Sequence, residues 1–273
     1  DVVARLQQMA LTEPKLLVIA GQGNVGYAKG SNLGAAKAGG EYMLLLNPDC
    51  LLPPEALADM MQVFGKRHGI KAVSARIIGP DGATLKDCRR LLLTPASALK
   101  QALMPWKRAP ALDPGADPHA VQAIASVCMM LRKEDFIRLG GLDEAFFVRG
   151  AGMDLCMRIY HIVGVVMVAP RIAVVRLHTH EETNQRKREW LAARGYSHYF
   201  RKHYAHLFRF GLLWLIDVAI LARFAARVGA AWLRYTLRPA FVMSHTVAAK
   251  RLMALASGLS ELSETKELSG KTV

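Results

Sequence analysis

A chain of 273 residues, 52% hydrophobic and 21% charged, can build one large domain or a domain with an appendage, and its apolar content excludes wholesale disorder. A formal net charge of +14 and a pI near 9.9 call for an anionic partner: nucleic acid, an anionic membrane face or a phosphorylated substrate. The four widely spaced cysteines, Cys50, Cys88, Cys128 and Cys156, form no C-x-x-C pair, which argues against a cysteine zinc site or a disulfide framework and makes reduced thiols in a cytosolic compartment the expectation.

Helix and strand signals alternate along the chain. Asp1 is placed like an N-cap for a short amphipathic helix over residues 2–10. With no secretory signal and no initial methionine, the chain reads as starting inside a fold. Residues 15–20 are an apolar run expected to be a buried strand. Gly21 to Gly34 is a glycine-rich loop leading into a small-residue helix over about 32–39. Tyr42 to Leu46 places five apolar residues in a row, which suits a strand buried on both faces of a parallel sheet. Pro48 cannot donate to a ladder, so this strand stops at Asn47-Pro48-Asp49. The Asp49 carboxylate is thereby delivered to the C-terminal edge of the strand, where open α/β sheets bind ligands.

A helix is expected from Pro54 to Gly65, then a strand over 71–78 and the turn Gly79-Pro80-Asp81-Gly82. Five prolines between residues 83 and 120 predict a long excursion with one helix over about 96–103. Beyond it come a strand over 123–131, a short helix over 134–139, a helix over 154–163 with Gly164 as C-cap, and short strands over 165–168 and 173–175. The alternation predicts a layered α/β domain.

After His178 the character changes. From Arg186 to Arg251 there are thirteen basic residues against two acidic ones, Glu189 and Asp217, interleaved with aromatic residues. Leu212 to Ala222 is apolar apart from Asp217, but eleven residues fall short of the ~20 needed to span a bilayer. Extending the window to Leu233 admits Arg223 and Arg227. The pattern predicts a basic amphipathic helical region on an anionic membrane surface, with a core-packing helix as the alternative and no nucleic-acid partner. The organisation expected is a domain over 1–182, the basic helical region over 183–256 and a flexible tail over 257–273.

Two readings compete for the glycine loop. Gly21-x-Gly23-x-x-Gly26 follows a predicted strand, and Asp49 lies near the distance at which a dinucleotide fold places its ribose-binding acid. An NAD-dependent Rossmann enzyme is therefore one reading. Against it, Asn24, Lys29 and Asn32 put polar and basic side chains where that fold uses a tight turn and an early helix. The other reading joins the stretch from Asn24 to Gly34 to Glu41-Tyr42-Met43-Leu44-Leu45-Leu46-Asn47-Pro48-Asp49. It adds Ser126 to Glu134, Gly140 to Phe147, Asp154-Leu155-Cys156-Met157-Arg158, and Tyr199 to Tyr204. Over about residues 15–205 this resembles the family 2 glycosyltransferases, in the rhamnosyltransferase-like branch. The pattern of that branch is N-x-G-(F/Y)-A-x-G-x-N-x-G, then E-Y-(apolar)-L-N-P-D.

The resemblance implies a GT-A-like α/β fold, a mostly parallel sheet flanked by helices. It implies transfer, with inversion, of a sugar such as rhamnose from a nucleotide-diphosphate-sugar donor. The acceptor would be a glycan or a polyprenyl-diphosphate-linked saccharide in cell-surface polysaccharide synthesis. A Mg²⁺ or Mn²⁺ cofactor would be held by Asp49, with His178 close by, and Asn24, Gly26, Lys29, Gly30, Asn32, Asn47 and Asp49 would bind the donor and its diphosphate. Such an enzyme would be cytoplasmic and peripheral on the inner face of the cell membrane.

This chain departs from the family pattern twice. The family supplies its general base from the acidic pair of G-E-D-x-D-L-C-x-R, and those positions are Ala151 and Gly152 here. Asp154 remains as the catalytic candidate, with helix capping or pairing to Arg158 at i+4 as its structural alternative. The family's first strand and nucleobase pocket should precede residue 15, so the chain reads as N-terminally truncated. A catalytically impaired relative is the second functional reading.

Overall fold

The computed structural model describes residues 2–85, 88–97, 112–147, 149–177, 185–207 and 212–236. The first half contains α1 (Val2–Thr12), α2 (Tyr27–Lys37), β1 (Tyr42–Leu46), β2 (Cys50–Leu51), α3 (Ala56–Lys66) and β3 (Ile70–Ile78). Then come β4 (Arg89–Arg90), β5 (His119–Val121), β6 (Ala123–Ile124), β7 (Cys128–Arg132), α4 (Lys133–Arg138) and α5 (Ala151–His161). The last elements are β8 (Val165–Arg176), α6 (Gln185–Tyr204), a 3-10 turn at Ala205–Leu207, and α7 (Leu212–Thr236). The chain divides into two compact units, Asp1–Val228 and Gly229–Val273; only the last turns of α7 are described in the second.

Six strands form one sheet in the order β1-β7-β3-β8-β2, with β5 also paired to β8. Period-2 alternation divides the core between its two faces. Met43, Leu45, Met129 and Leu131 point to the side covered by α2, α5 and α6, where Leu155, Ile159, Tyr199 and Phe200 are buried. Val73, Ala75, Cys128 and Met130 point to the other side, against Met60, Val63 and Phe64 of α3.

The layered α/β class is as expected, but the strand directions differ from a mostly parallel sheet. Only β3 and β8 run parallel among the described pairs. The pairs β1–β7, β3–β7, β2–β8 and β5–β8 are antiparallel. The reason lies at the start of β7, which is tied to the end of β1 by the Asn47 N–H donating to the Val127 carbonyl, so β7 runs back against both neighbours.

Other elements move for identifiable reasons. Residues 15–20 have strand composition but are irregular, because they find no ladder partner among the described residues; Leu17 and Ile19 are exposed. Helix α2 begins at Tyr27, so Lys29, Gly30 and Asn32 are helical. The strands expected over 165–168 and 173–175 are one strand, β8, with a register shift opposite Ala75 and Arg76; the Arg76 Nε donates to the Pro170 carbonyl inside that irregularity at 2.8 Å. Helix α5 starts three residues early, and the left-handed residue beyond its end is Val163, with φ 57°, rather than Gly164. Gly164 is needed for space, since a Cβ there would lie 2.8 Å from Ile159 and Lys71 side-chain atoms. The helix expected over 96–103 lies almost entirely outside the described residues.

Helix α6 seats Tyr199, Phe200 and Tyr204 in the same apolar cluster as α5, and buries Ala192 and Ala193 as well. It comes so close at Gly195 that a Cβ there would stand 2.4 Å from the Arg149 carbonyl oxygen. Gly195→Ala must push α6 away from backbone that cannot rotate aside, and should cost about 1–3 kcal/mol in urea denaturation. A variant as stable as the parent would contradict this contact.

Candidate functional site

Three sequence motifs meet at one stretch of backbone. The strand expected over 123–131 is broken at 125–127 into β6 and β7. At that break the Tyr27 hydroxyl donates to the Ser126 carbonyl at 2.7 Å, and the Asn47 N–H donates to the Val127 carbonyl at 2.8 Å. Gly152, in the first turn of α5, packs so tightly that a Cβ there would lie 2.8 Å from the Ser126 Cβ. The end of the glycine loop, the end of β1 and the start of α5 thus converge on Ser126 and Val127.

Asn24 and Gly26 shape the entry to α2. The Gly26 N–H donates to Asn24 Oδ1 at 3.1 Å, an Asx turn. Gly26 has φ +82°, and a Cβ there would be 2.7 Å from Phe147 atoms, so only glycine fits. Lys29 and Gly30 are exposed on the first turn of α2. Asn32 is engaged elsewhere. Its Nδ2 donates to the Leu142 carbonyl at 2.8 Å and to Glu144 at 3.1 Å, and its Oδ1 accepts from the Leu142 N–H at 2.9 Å. Its amide therefore ties α2 to the turn after α4.

The strand end delivers Asp49 as expected from Pro48. The Cys50 N–H closes a turn on the Asn47 carbonyl at 3.1 Å, and β2 then pairs with the end of β8, Cys50 opposite Arg176. The Arg176 Nε donates to Asp49 Oδ2 at 2.8 Å, and the Leu177 N–H donates to the Asp49 carbonyl at 2.7 Å. Both side chains of this ion pair stay partly exposed. Burial and then the Asp49 charge push the Cys50 thiol up to about 12, which keeps it protonated and unsuited to nucleophilic work. His178, the other expected metal contact, lies outside the described residues.

Among the described residues no group of three or more His, Cys, Asp or Glu side chains could hold a metal ion. The protein contributes one carboxylate, Asp49, already shared with Arg176. One carboxylate completed by phosphate oxygens and water is a donor set that Mg²⁺ accepts, so Asp49 fits a single-ligand role.

The acidic-pair positions, Ala151 and Gly152, are buried and carry no proton acceptor. Asp154 is 0% exposed. Its Oδ2 accepts from the Arg158 Nε at 2.9 Å and Nη2 at 2.8 Å, and its Oδ1 from the His203 Nε2 at 2.8 Å and the Lys202 Nζ at 2.9 Å. Arg158 also donates to the Leu139 and Gly141 carbonyls. Lys202 bridges on to Asp143 at 2.6 Å, which His198 reaches at 3.1 Å. Burial drives the Asp154 pKa up, but the His203 and Lys202 hydrogen bonds and the Arg158 and Lys202 charges outweigh it and leave the carboxyl below its ordinary range. Asp143 is affected by burial and by Lys202 and His198 in the same opposing way, and ends well below that range. Among the described residues this carboxylate is fully buried and its oxygens are taken up by Arg158, Lys202 and His203.

Reasoning from sequence identified the Asp154–Arg158 spacing but not Arg176, His198, Lys202 or His203 as partners. For the last two, the stretch from Tyr199 to Tyr204 was the available signal; for Arg176 it was its place at the end of the apolar strand before His178.

A family profile described as Glycosyl transferase family 2 matches residues 1–140, just over half of the chain. The chain belongs to glycosyl transferase family 2. Its layered α/β sheet flanked by helices agrees with the GT-A-like class that the motifs implied. The dinucleotide reading of the loop fails, since the described residues 15–20, which lead into Gly21, form no strand to supply the strand–turn–helix frame. The O-antigen biosynthesis protein RfbC of Myxococcus xanthus is 26% identical over 177 residues, which is 64% of this chain and 14% of that protein. The low-salt glycan biosynthesis hexosyltransferase Agl10 of Haloferax volcanii is 25% identical over 140 residues, 50% of this chain and 43% of that protein. The chain thus spans less than half the length of these relatives. The mannosyltransferase PcManGT of Pyrobaculum calidifontis, solved with GDP-Man and Mn²⁺, superimposes with a TM-score of 0.46 at 17% identity, covering 94% of this chain and 67% of that one.

The depressed Asp154 and Asp143 pKa values set the acid response. A carboxylate whose folded pKa lies below its unfolded value of about 3.9 adds stability above that value and loses it as pH falls through the folded pKa. Stability should therefore decline below about pH 4, and Asp154→Asn should be less stable at pH 7 with a shallower acid slope. Urea melts of both proteins across this range check it; parallel pH profiles would remove the basis for this assignment.

Proposed function

We propose that this family 2 chain takes part in transferring a sugar from a nucleotide-diphosphate-sugar donor to a glycan or lipid-linked acceptor in cell-surface polysaccharide synthesis. Rhamnose is the sugar that the motif branch favours, and transfer proceeds with inversion. The observation that supports this reading is the partly exposed Asp49–Arg176 corner beyond the end of β1. In a single displacement the acceptor oxygen bonds to the anomeric carbon as the bond to the diphosphate breaks. The electron pair leaves with the nucleoside diphosphate, and the hydroxyl proton passes to a base. Arg176 offers the departing diphosphate a fixed planar cation. Asp49 is the residue that would hold Mg²⁺ or Mn²⁺, which would supply Lewis-acid neutralisation of that charge. Asn24, Gly26, Lys29, Gly30 and Asn47 line the donor side, and Asn32 and Asp154 serve by positioning α2 and α5. Lipid-linked acceptors place the reaction at the inner face of the cell membrane.

A second reading, donor binding without efficient turnover, is favoured by Gly152. The position that carries the base in the family has no carboxylate, and its contact with Ser126 leaves no room for a Cβ.

Calorimetry with nucleoside diphosphates, with and without Mn²⁺, tests the corner. Asp49→Ala should abolish the gain in affinity that Mn²⁺ brings, and Arg176→Gln should weaken metal-free binding about tenfold, as expected for loss of a charge-assisted hydrogen bond. Unchanged affinity in both variants would sink the assignment. Nucleoside diphosphate release on adding acceptor then separates the two readings: binding with no release supports the second.

A further inference from the structure

Helix α7 is apolar on two sides. Asp217, its one acidic residue, faces the protein beside Ile216, and a second apolar line faces out. Ile216 is 2% exposed in the core, and Asp217 accepts from the Ser197 hydroxyl at 2.6 Å and from Arg201 of α6. Phe224 stacks edge-on to Trp190 of α6 at 5.8 Å. On the opposite side Trp214, Val218 and Leu221 follow one another at i, i+4 and i+7, continued by Ala225, with Leu215 alongside. Trp214 is 69% exposed, Leu221 48%, Leu215 45% and Val218 43%. At 1.5 Å per residue the line from Trp214 to Ala225 runs about 17 Å. A face that should be charged on a solvated helix is apolar over three turns.

The flank of this face is cationic. Trp190, Ser197 and Arg201 of α6 touch α7, and Lys187 and Arg194 lie on the same helical stripe, both exposed. None of the described helices is long and apolar enough to cross a membrane. An apolar line with an indole at one end and guanidinium and ammonium groups beside it suits a helix lying in the plane of an anionic lipid surface.

We propose that the outer face of α7, with Lys187 and Arg194 of α6, docks on an anionic phospholipid surface. Trp214, Val218 and Leu221 enter the boundary between headgroups and acyl chains, and the α6 cations meet lipid phosphates. The proposal takes its setting from the membrane-side reading of the acceptor, but its evidence is this face alone.

Flotation of the full chain with vesicles rich in phosphatidylglycerol, compared with pure phosphatidylcholine, tests it. The parent chain should float with the anionic vesicles and be released by salt. Leu221→Asp and the pair Lys187→Glu with Arg194→Glu should each lower partitioning at least about tenfold. Trp214→Phe, which keeps the helix and its packing, should lose most of the fluorescence quenching that brominated lipids cause in the parent. The Mn²⁺-dependent nucleotide affinity should be the same in all variants. Loss of flotation with nucleotide binding intact supports the membrane face. Loss of nucleotide binding in the parent, with flotation kept, defeats the donor reading and leaves the membrane face standing. No flotation of the parent, full flotation of either charged variant, or quenching unchanged in Trp214→Phe overturns the proposal. So does a parent that self-associates without vesicles and becomes monomeric in Leu221→Asp, which would make the face a protein interface.

Discussion

A carboxylate removed from water must be matched by cations and donors nearby, or it costs several kcal/mol. Asp154 sits at that limit, fully buried, and its partners come from two helices. Arg158 is one turn further along α5, and Lys202 and His203 belong to α6. Docking of α6 is thereby specified by polar groups as well as by Tyr199 and Phe200. Arg158 spends its remaining donors on the Leu139 and Gly141 carbonyls, so the end of α4 is held by the same group. Asn32 reaches the neighbouring Leu142 from α2. One buried charge thus ties together α5, α6 and the end of α4, and Asn32 adds α2 to that side of the sheet.

On that frame the ligand corner is assembled from loop ends. A continuous strand over 123–131 would have turned its carbonyls into the ladder. The break instead offers Ser126 to Tyr27 and Val127 to Asn47, which draws the glycine loop and the end of β1 together. The close approach of Gly152 to Ser126 follows from the same break, and it explains why an acidic side chain has no room there. Asp49 and Arg176 meet because β2 returns against the end of β8. Their pairing keeps a carboxylate and a guanidinium side by side where only the carboxylate was foreseen.

The C-terminal helices show how composition and placement can part company. The basic and aromatic content of the region was plain, but it did not reveal how that content is distributed. Helix α6 carries both core aromatics and exposed cations, whereas α7 turns its carboxylate toward α6 and leaves apolar side chains outside. A helix drawn from the same residues with Asp217 outward would be an ordinary amphipathic element.

Much of the frame was legible because it follows from rules acting over a few residues. Pro48 ends β1 and so places Asp49; Gly79 to Gly82 makes a turn; Asp154 and Arg158 are one helical turn apart and pair. Motif order and spacing were enough for the family. Sequence could not reveal what depends on partners far along the chain. Residues 15–20 have the composition of a strand, but a strand exists only if another is beside it. The break at 125–127 answers to Tyr27 and Asn47, and Asp49 pairs with a residue 127 positions away. The sequence by itself determined the α/β class, the family and the position of Asp49 at a strand end. Tertiary structure alone decided that Asp154 is enclosed, that Arg176 shares the corner and that Gly152 leaves no space for a base, because each depends on which side chains the folded backbone brings within about 3 Å of one another.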